Sequence, residues 1–173
     1  MKRLPLNMIN DHIHGLMDEN GSINKENILK IIPYKDQFLM MDQVLYLDQQ
    51  KIIVTKNVPL DDFWVTGHFT DFPIMPGVLV IEVLAQAGSL LARYNLSHHQ
   101  EKDLLARTIE KSRFLYPIFP GDHIKCEVAI SEMNEKVAVF NGKVWVKDRL
   151  CTEAEFTLAI VDKENFRNKF RNQ

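Results

Sequence analysis

Glu82 stands inside the most apolar run of the chain, Val78–Ala92, and His68 lies fourteen residues before it, in GHFTDFPIMPG. An ionised carboxylate in apolar surroundings is costly, so such a group tends to take up a proton and its pKa rises. A carboxylic acid held neutral near pH 7 can give that proton away, which is what a general acid must do. Histidine, with an ordinary pKa of roughly 6.5, suits a general base. Between the two, Gly77 allows close backbone approach at a helix start. Free N–H groups there, aided by the helix dipole, stabilise negative charge developing on a carbonyl oxygen. Taken singly, a buried glutamate can simply hydrogen-bond backbone and a loop histidine can simply be solvated. Together, a base, an acid and an oxyanion donor suit proton abstraction next to a carbonyl.

The elements that must position these groups follow from periodicity. Glu82, Gln86, Ser89 and Arg93 fall at i, i+4, i+7 and i+11, one narrow polar stripe on a helix otherwise apolar all round. The run is shorter than the roughly 20 residues a bilayer span needs, and its ionisable centre argues further against one. It is read as a core helix, with Pro76 at its first position, where a missing N–H costs nothing. One sheet around one helix would leave that helix's outer stripe exposed, and a symmetric partner is the simplest cover.

Upstream, Ile28, Leu29, Ile31 and Ile32 predict a short amphipathic helix from Asn24 to Ile32, ended by Pro33. FLMMDQVLYL and KIIVTKNV read as two strands joined at DQQ. Downstream, Ile124, Cys126, Val128 and Ile130 alternate with polar or small residues, the strand period of two. KVAVFNGKVWV and LCTEAEFTLAIV add two more strands. Asn141-Gly142 is a hairpin signature, but turning at both it and KDR would leave a very short piece. The expectation is therefore one long strand with a glycine bulge at Gly142 and a turn at Asp148-Arg149. The fold class is α+β: residues 1–22 form an N-terminal extension and 23–173 a single domain of largely antiparallel strands around one helix.

Composition sets the outer limits. A chain of 173 residues can bury a real core. Its formal net charge of −2 gives no reason to expect nucleic acid as a partner. Cys126 and Cys151 lack metal-ligand spacing and are read as reduced thiols of a cytoplasmic protein. In MKRLPLNMIN, Asn7 and Asn10 interrupt any apolar segment, so no secretory signal is expected. DENGSI resembles the centre of a calcium loop, but Leu16 and Asn27 would then occupy the first and twelfth ligand positions, both wrong. His12 with His14, and His98 with His99, read as exposed loop histidines without partners for a metal. No phosphate-cradling glycine loop is present, and Asn95-Leu96-Ser97 is a sequon without meaning in a cytoplasmic protein.

The stretch GHFTDFPIMPGVLVIEVLAQAG resembles the signature of the beta-hydroxyacyl-acyl carrier protein dehydratases of FabZ type. The similarity continues in IIPYKDQFLMMDQVL, RFLYPIFPGD and AEFTLAI, and covers roughly residues 24 to 162. It implies the hot-dog fold, an antiparallel sheet wrapped around one long helix. By position it implies His68 and Glu82 as catalytic residues and Gly77 as the glycine whose amide binds the thioester carbonyl. Relatives that also isomerise the double bond usually carry Asp at the glutamate position, so Glu82 implies plain dehydration in fatty acid biosynthesis. The implied substrate is a 3-hydroxyacyl chain on an acyl carrier protein. Neither a metal nor an organic cofactor is implied. The implied assembly is a homodimer, or a hexamer built as a trimer of dimers, with the histidine and glutamate of each site contributed by different subunits. Thr70-Asp71, Gln37, Gln43 and Leu115-Tyr116 depart from the residues common in the family. A hot-dog thioesterase and a non-catalytic acyl-chain binder are the alternatives.

Overall fold

Residues 10–171 are described by the computed structural model of the chain, so the reading against a secretory signal falls, Asn10 apart, outside them. Asn10 caps α1 (Asp11–His14), its Oδ1 accepting from Ile13 N–H at 3.2 Å. β1 (Ile23–Asn24) runs directly into α2 (Lys25–Ile31), where Asn24 Oδ1 accepts from Asn27 N–H. The expected helix is therefore present, with its N-cap identified. Of FLMMDQVLYL only Gln43–Leu47 forms a strand, β2, because a short 3₁₀ turn at Asp36–Phe38 occupies the start. β2 pairs with β3 (Lys51–Asn57) across the expected turn, where Asp48 Oδ1 accepts from Gln50 and Lys51 N–H.

The core helix is α3 (Gly77–Tyr94). By length and composition it could cross a membrane, yet 72% of it is buried inside the domain. Pro76 is its N-cap and not its first helical residue; the Pro76 carbonyl accepts from Leu79 and Val80 N–H. Four long strands follow: β4 (Lys102–Phe114), β5 (His123–Met133), β6 (Val137–Val146) and β7 (Arg149–Asp162). α4 (Lys163–Phe170), capped by Asp162, follows β7. The seven strands form one antiparallel sheet in the order β1-β2-β3-β5-β6-β7-β4, which wraps α3. This is the hot-dog arrangement. Cys126 and Cys151 are both free and buried, and burial pushes the Cys126 thiol up.

Four expectations need correction. Gly142 carries no bulge: it pairs in register with both Val128 and Ala154. A Cβ there would lie 2.9 Å from Leu84 Cδ1, so it is the close approach of α3 that demands glycine. The bulge lies on β7 at Cys151, and the turn is at Lys147-Asp148, with Lys147 at φ 53°. The outer stripe of α3 is exposed only in its N-terminal half, where Val78 is exposed and Leu79, Glu82 and Ala85 are half-buried, while from Gln86 on the helix is covered within the protomer. β4 escaped the sequence reading because DLLARTIEKSRF lacks strand alternation. It is an edge strand whose residues 106–111 are exposed on both faces, so no buried face imposes a period.

The fourth correction concerns histidine. His98 is exposed, but His99 is buried, and His12 lies on α1. The His99 carbonyl accepts from Arg93 at 2.6 Å, because a buried guanidinium at the end of α3 needs backbone acceptors. The rings of His99 and His12 meet with Nε2 and Nδ1 3.3 Å apart. Burial, then Arg93, then His12 hold the His99 imidazole down at about 4. In the unfolded chain it titrates near 6.5. Between those values the unfolded chain binds the extra proton, so this contribution to stability is complete above pH 6.5 and is lost as pH falls towards 4. Denaturant titrations across that window should show stability falling with acid in the parent protein, and a flatter slope in His99→Gln. A matching His98→Gln variant should keep the parent slope.

Candidate active site

His68 sits in the loop before α3, and its backbone N–H donates to Trp64 O at 2.8 Å. The chain turns back so that Ile74 N–H donates to His68 O at 2.9 Å, while His68 Nδ1 lies 3.0 Å from Ile74 O. A carbonyl can only accept, so Nδ1 carries the proton in the neutral ring and Nε2 keeps its lone pair. The ring stacks on Phe69 with centroids 4.3 Å apart and is half-buried. Loop geometry alone thus delivers an oriented base.

Gly77 and Val78 supply the first two N–H groups of α3, which have no acceptor inside the helix. Met75 N–H donates to Ile118 O at 2.8 Å, tying the helix start to the wall opposite. A Cβ on Gly77 would lie 2.8 Å from Phe114 Cε1. Glycine is therefore required for the backbone amide to stand open against that ring. His68, Gly77, Phe114 and Ile118 line one groove of about 490 Å³, whose wall continues through Leu115 and Tyr116. The β7 bulge holds that wall: Cys151 O accepts from both Leu115 N–H at 2.7 Å and Tyr116 N–H at 3.2 Å. Neither the bulge nor the role of Phe114 was legible in the sequence, because both arise from strand pairing.

Glu82 does not line this groove. Five residues on an α-helix is about 140° of rotation from Gly77, which sets Glu82 one turn beyond Val78 of the groove wall. Burial raises its pKa, and a hydrogen bond from Gln86 opposes that rise. Gln86 is completely buried, and its side chain makes three hydrogen bonds. Nε2 donates to Glu82 Oε1 at 2.9 Å and to Phe38 O at 2.8 Å, while Oε1 accepts from Met40 N–H at 2.8 Å. Burial, then the charge of Glu82, also push the Tyr34 hydroxyl up, which places that ring in the same neighbourhood. Arg93, at the far end of the stripe, is spent on the carbonyls of His99 and Lys102. His68 and Gly77 of one protomer thus line the same groove, and Glu82 is not among the residues lining it. Among the described residues no three His, Cys, Asp or Glu side chains cluster as metal ligands would.

The FabA-like domain family matches residues 32–155. The chain is 35% identical over 136 residues to a 3-hydroxyacyl-[acyl-carrier-protein] dehydratase FabZ of Koribacter versatilis, covering 78% of this chain and 87% of that one. It is 38% identical over 147 residues to the FabZ of Campylobacter concisus, covering 82% and 99%. Among solved structures, the dehydratase heterocomplex ApeI:P of Xenorhabdus doucetiae superposes with a TM-score of 0.68 at 16% identity, over 82% of this chain and 95% of that one. A thioesterase of Haemophilus influenzae gives 0.61 at 16% identity, over 80% and 90%. At that identity the two structures speak for the hot-dog fold alone. The family match and the relatives go further: the chain belongs to the FabA-like domain family and, within it, to the FabZ proteins.

Proposed function

We propose that this protein is a 3-hydroxyacyl-[acyl-carrier-protein] dehydratase of fatty acid biosynthesis. The observation that carries this reading is the groove in which His68, with Nδ1 committed to Ile74 O, faces the same space as the open amide of Gly77. That pairing supplies a base beside an oxyanion donor. His68 Nε2 takes the proton from the carbon next to the thioester. Gly77 N–H holds the carbonyl oxygen as enolate character develops. The carbon–oxygen bond at the 3-position then breaks, and the hydroxyl leaves as water with the proton of Glu82. The electron pair of the broken C–H bond becomes the new double bond of the trans-2-enoyl product. The step needs no cofactor.

The implied partner is an acyl carrier protein bearing the 3-hydroxyacyl chain, and the implied compartment is the cytoplasm. The implied assembly is a homodimer. Two features support it: Glu82 stands outside the groove of its own protomer, and large apolar side chains are exposed beside that groove. Val78 is 75% exposed, and Phe69, Phe72, Ile109 and Phe114 are each more than half exposed. Apolar surface of that kind marks an interface. A symmetric copy would cover it and bring one subunit's Glu82 to the other's His68. Residues 23–173 serve as the catalytic domain, with 1–22 as its extension.

His68→Ala and Glu82→Gln should each lower kcat/KM about 10²–10⁴-fold in folded protein, measured by mass spectrometry for loss of water from 3-hydroxyacyl thioesters. Mixing the two inactive variants should recover activity, since each mixed dimer holds one intact site. A monomer at micromolar concentration in sedimentation would overturn the shared site, and thiol release in place of water loss would favour a thioesterase.

Gly77→Ala sets a methyl against Phe114 and crowds the amide, so kcat/KM should fall roughly tenfold or more. Phe114→Leu in the same chain should recover part of it.

The raised pKa of Glu82 also fixes the pH dependence. The proposed acid must carry its proton, so kcat/KM should fall as the Glu82 carboxyl loses it. The residual rate of Glu82→Gln should lack the alkaline limb.

A further inference from the structure

Gln86 is the one buried polar side chain of α3 that touches Glu82, and its own orientation is over-determined. Met40 N–H can only donate, so the atom facing it at 2.8 Å is the amide oxygen. Phe38 O can only accept, so the atom facing it at 2.8 Å is the amide nitrogen. Both anchors are backbone groups at or just after the 3₁₀ turn Asp36–Phe38. Flipping the amide would break two hydrogen bonds of a side chain that is itself completely buried. The remaining N–H of Nε2 is thereby committed to Glu82 Oε1, 2.9 Å away.

An N–H group cannot accept, so Oε1 must act as acceptor whether the carboxyl is ionised or protonated. The carbonyl-type oxygen of a carboxylic acid is its better acceptor. We propose that Gln86 is a positioning residue that assigns the acid proton to Oε2 of Glu82. The proposal rests on the reading of Glu82 as the general acid. By favouring the ionised form, Gln86 also eases release of that proton against the burial that holds it.

Gln86→Met removes all three hydrogen bonds at nearly constant volume. Gln86→Glu keeps an acceptor for Met40 N–H, so the 36–40 segment stays anchored, but has at most one donor to share between Phe38 O and Glu82. The Glu82 carboxyl can be titrated directly by isotope-edited infrared spectroscopy in the His68→Ala background, with Glu82→Gln as the spectral blank. In both Gln86 variants the Glu82 midpoint should move to higher pH. In otherwise wild-type enzyme the alkaline limb should move the same way. The kcat of Gln86→Met should fall roughly 10- to 100-fold with KM within about twofold, and that of Gln86→Glu should lie between it and the parent. A loss of stability alone, with the carboxyl midpoint and kcat unmoved, would overturn the proposal. Near-normal turnover in Glu82→Gln would instead overturn the acid assignment beneath it, and the proposal with it.

Discussion

A carboxyl group on a helix that is buried on almost every side needs a partner, a proton, or both. That constraint organises this protein. Glu82 is half-buried on α3, and the polar atom that meets it belongs to Gln86, one turn further on and completely buried. Gln86 is in turn held by the backbone at Phe38 and Met40, and so by the segment joining α2 to β2. The environment of a single carboxyl therefore depends on a chain segment more than 40 residues away in sequence. An apolar residue at position 86 would leave two backbone groups unpaired in the core, at roughly 1–3 kcal/mol each. The polar stripe is thus as much a device for closing the core as for chemistry.

The groove depends on a different kind of precision, that of strand pairing. β4 meets β7 with a register shift between Glu110 and Arg113, and β7 carries its own bulge at Cys151 against β6. These irregularities re-aim the chain where β4 ends, and Cys151 O captures Leu115 and Tyr116 as they leave the sheet. Phe114 is set against Gly77 by the same arrangement. His68 comes from a loop and the Gly77 amide from a helix start. The wall opposite them comes from a sheet edge, so three types of backbone end converge on one groove.

What was legible in the sequence is what buried faces imprint on it. α3 and the strands β5, β6 and β7 each bury a face, and their apolar periods are plain in the sequence. His68, Gly77 and Glu82 stood out as candidates for the converse reason, being polar or flexible residues where apolar ones are expected. β4 was not legible, because most of it buries neither face within the protomer. The long strand through Gly142 was read correctly, but the bulge expected there is absent, because the glycine serves the close approach of the Leu84 side chain, which local pattern does not show. His99 was misread because its burial is caused by Arg93 and α1, both distant from it in local pattern. Long-range contacts override local propensity at each of these places.

Helix geometry also constrains where an open amide and a buried acid can stand on one helix. An oxyanion donor must be a free N–H in the first turn of α3, since later amides are consumed by the helix ladder. An acid that needs burial to hold its proton must lie deeper along the same helix, beyond that turn. Glu82 meets this requirement five residues on from Gly77, one helical turn beyond Val78 of the groove wall. Moving the acid nearer the groove would return it to the exposed first turn, where Val78 stands, and burial would no longer hold its proton. Under the proposed dimer, a second copy of the same helix would meet both demands, because the exposed apolar side chains of Val78 and Phe114 lie at the groove.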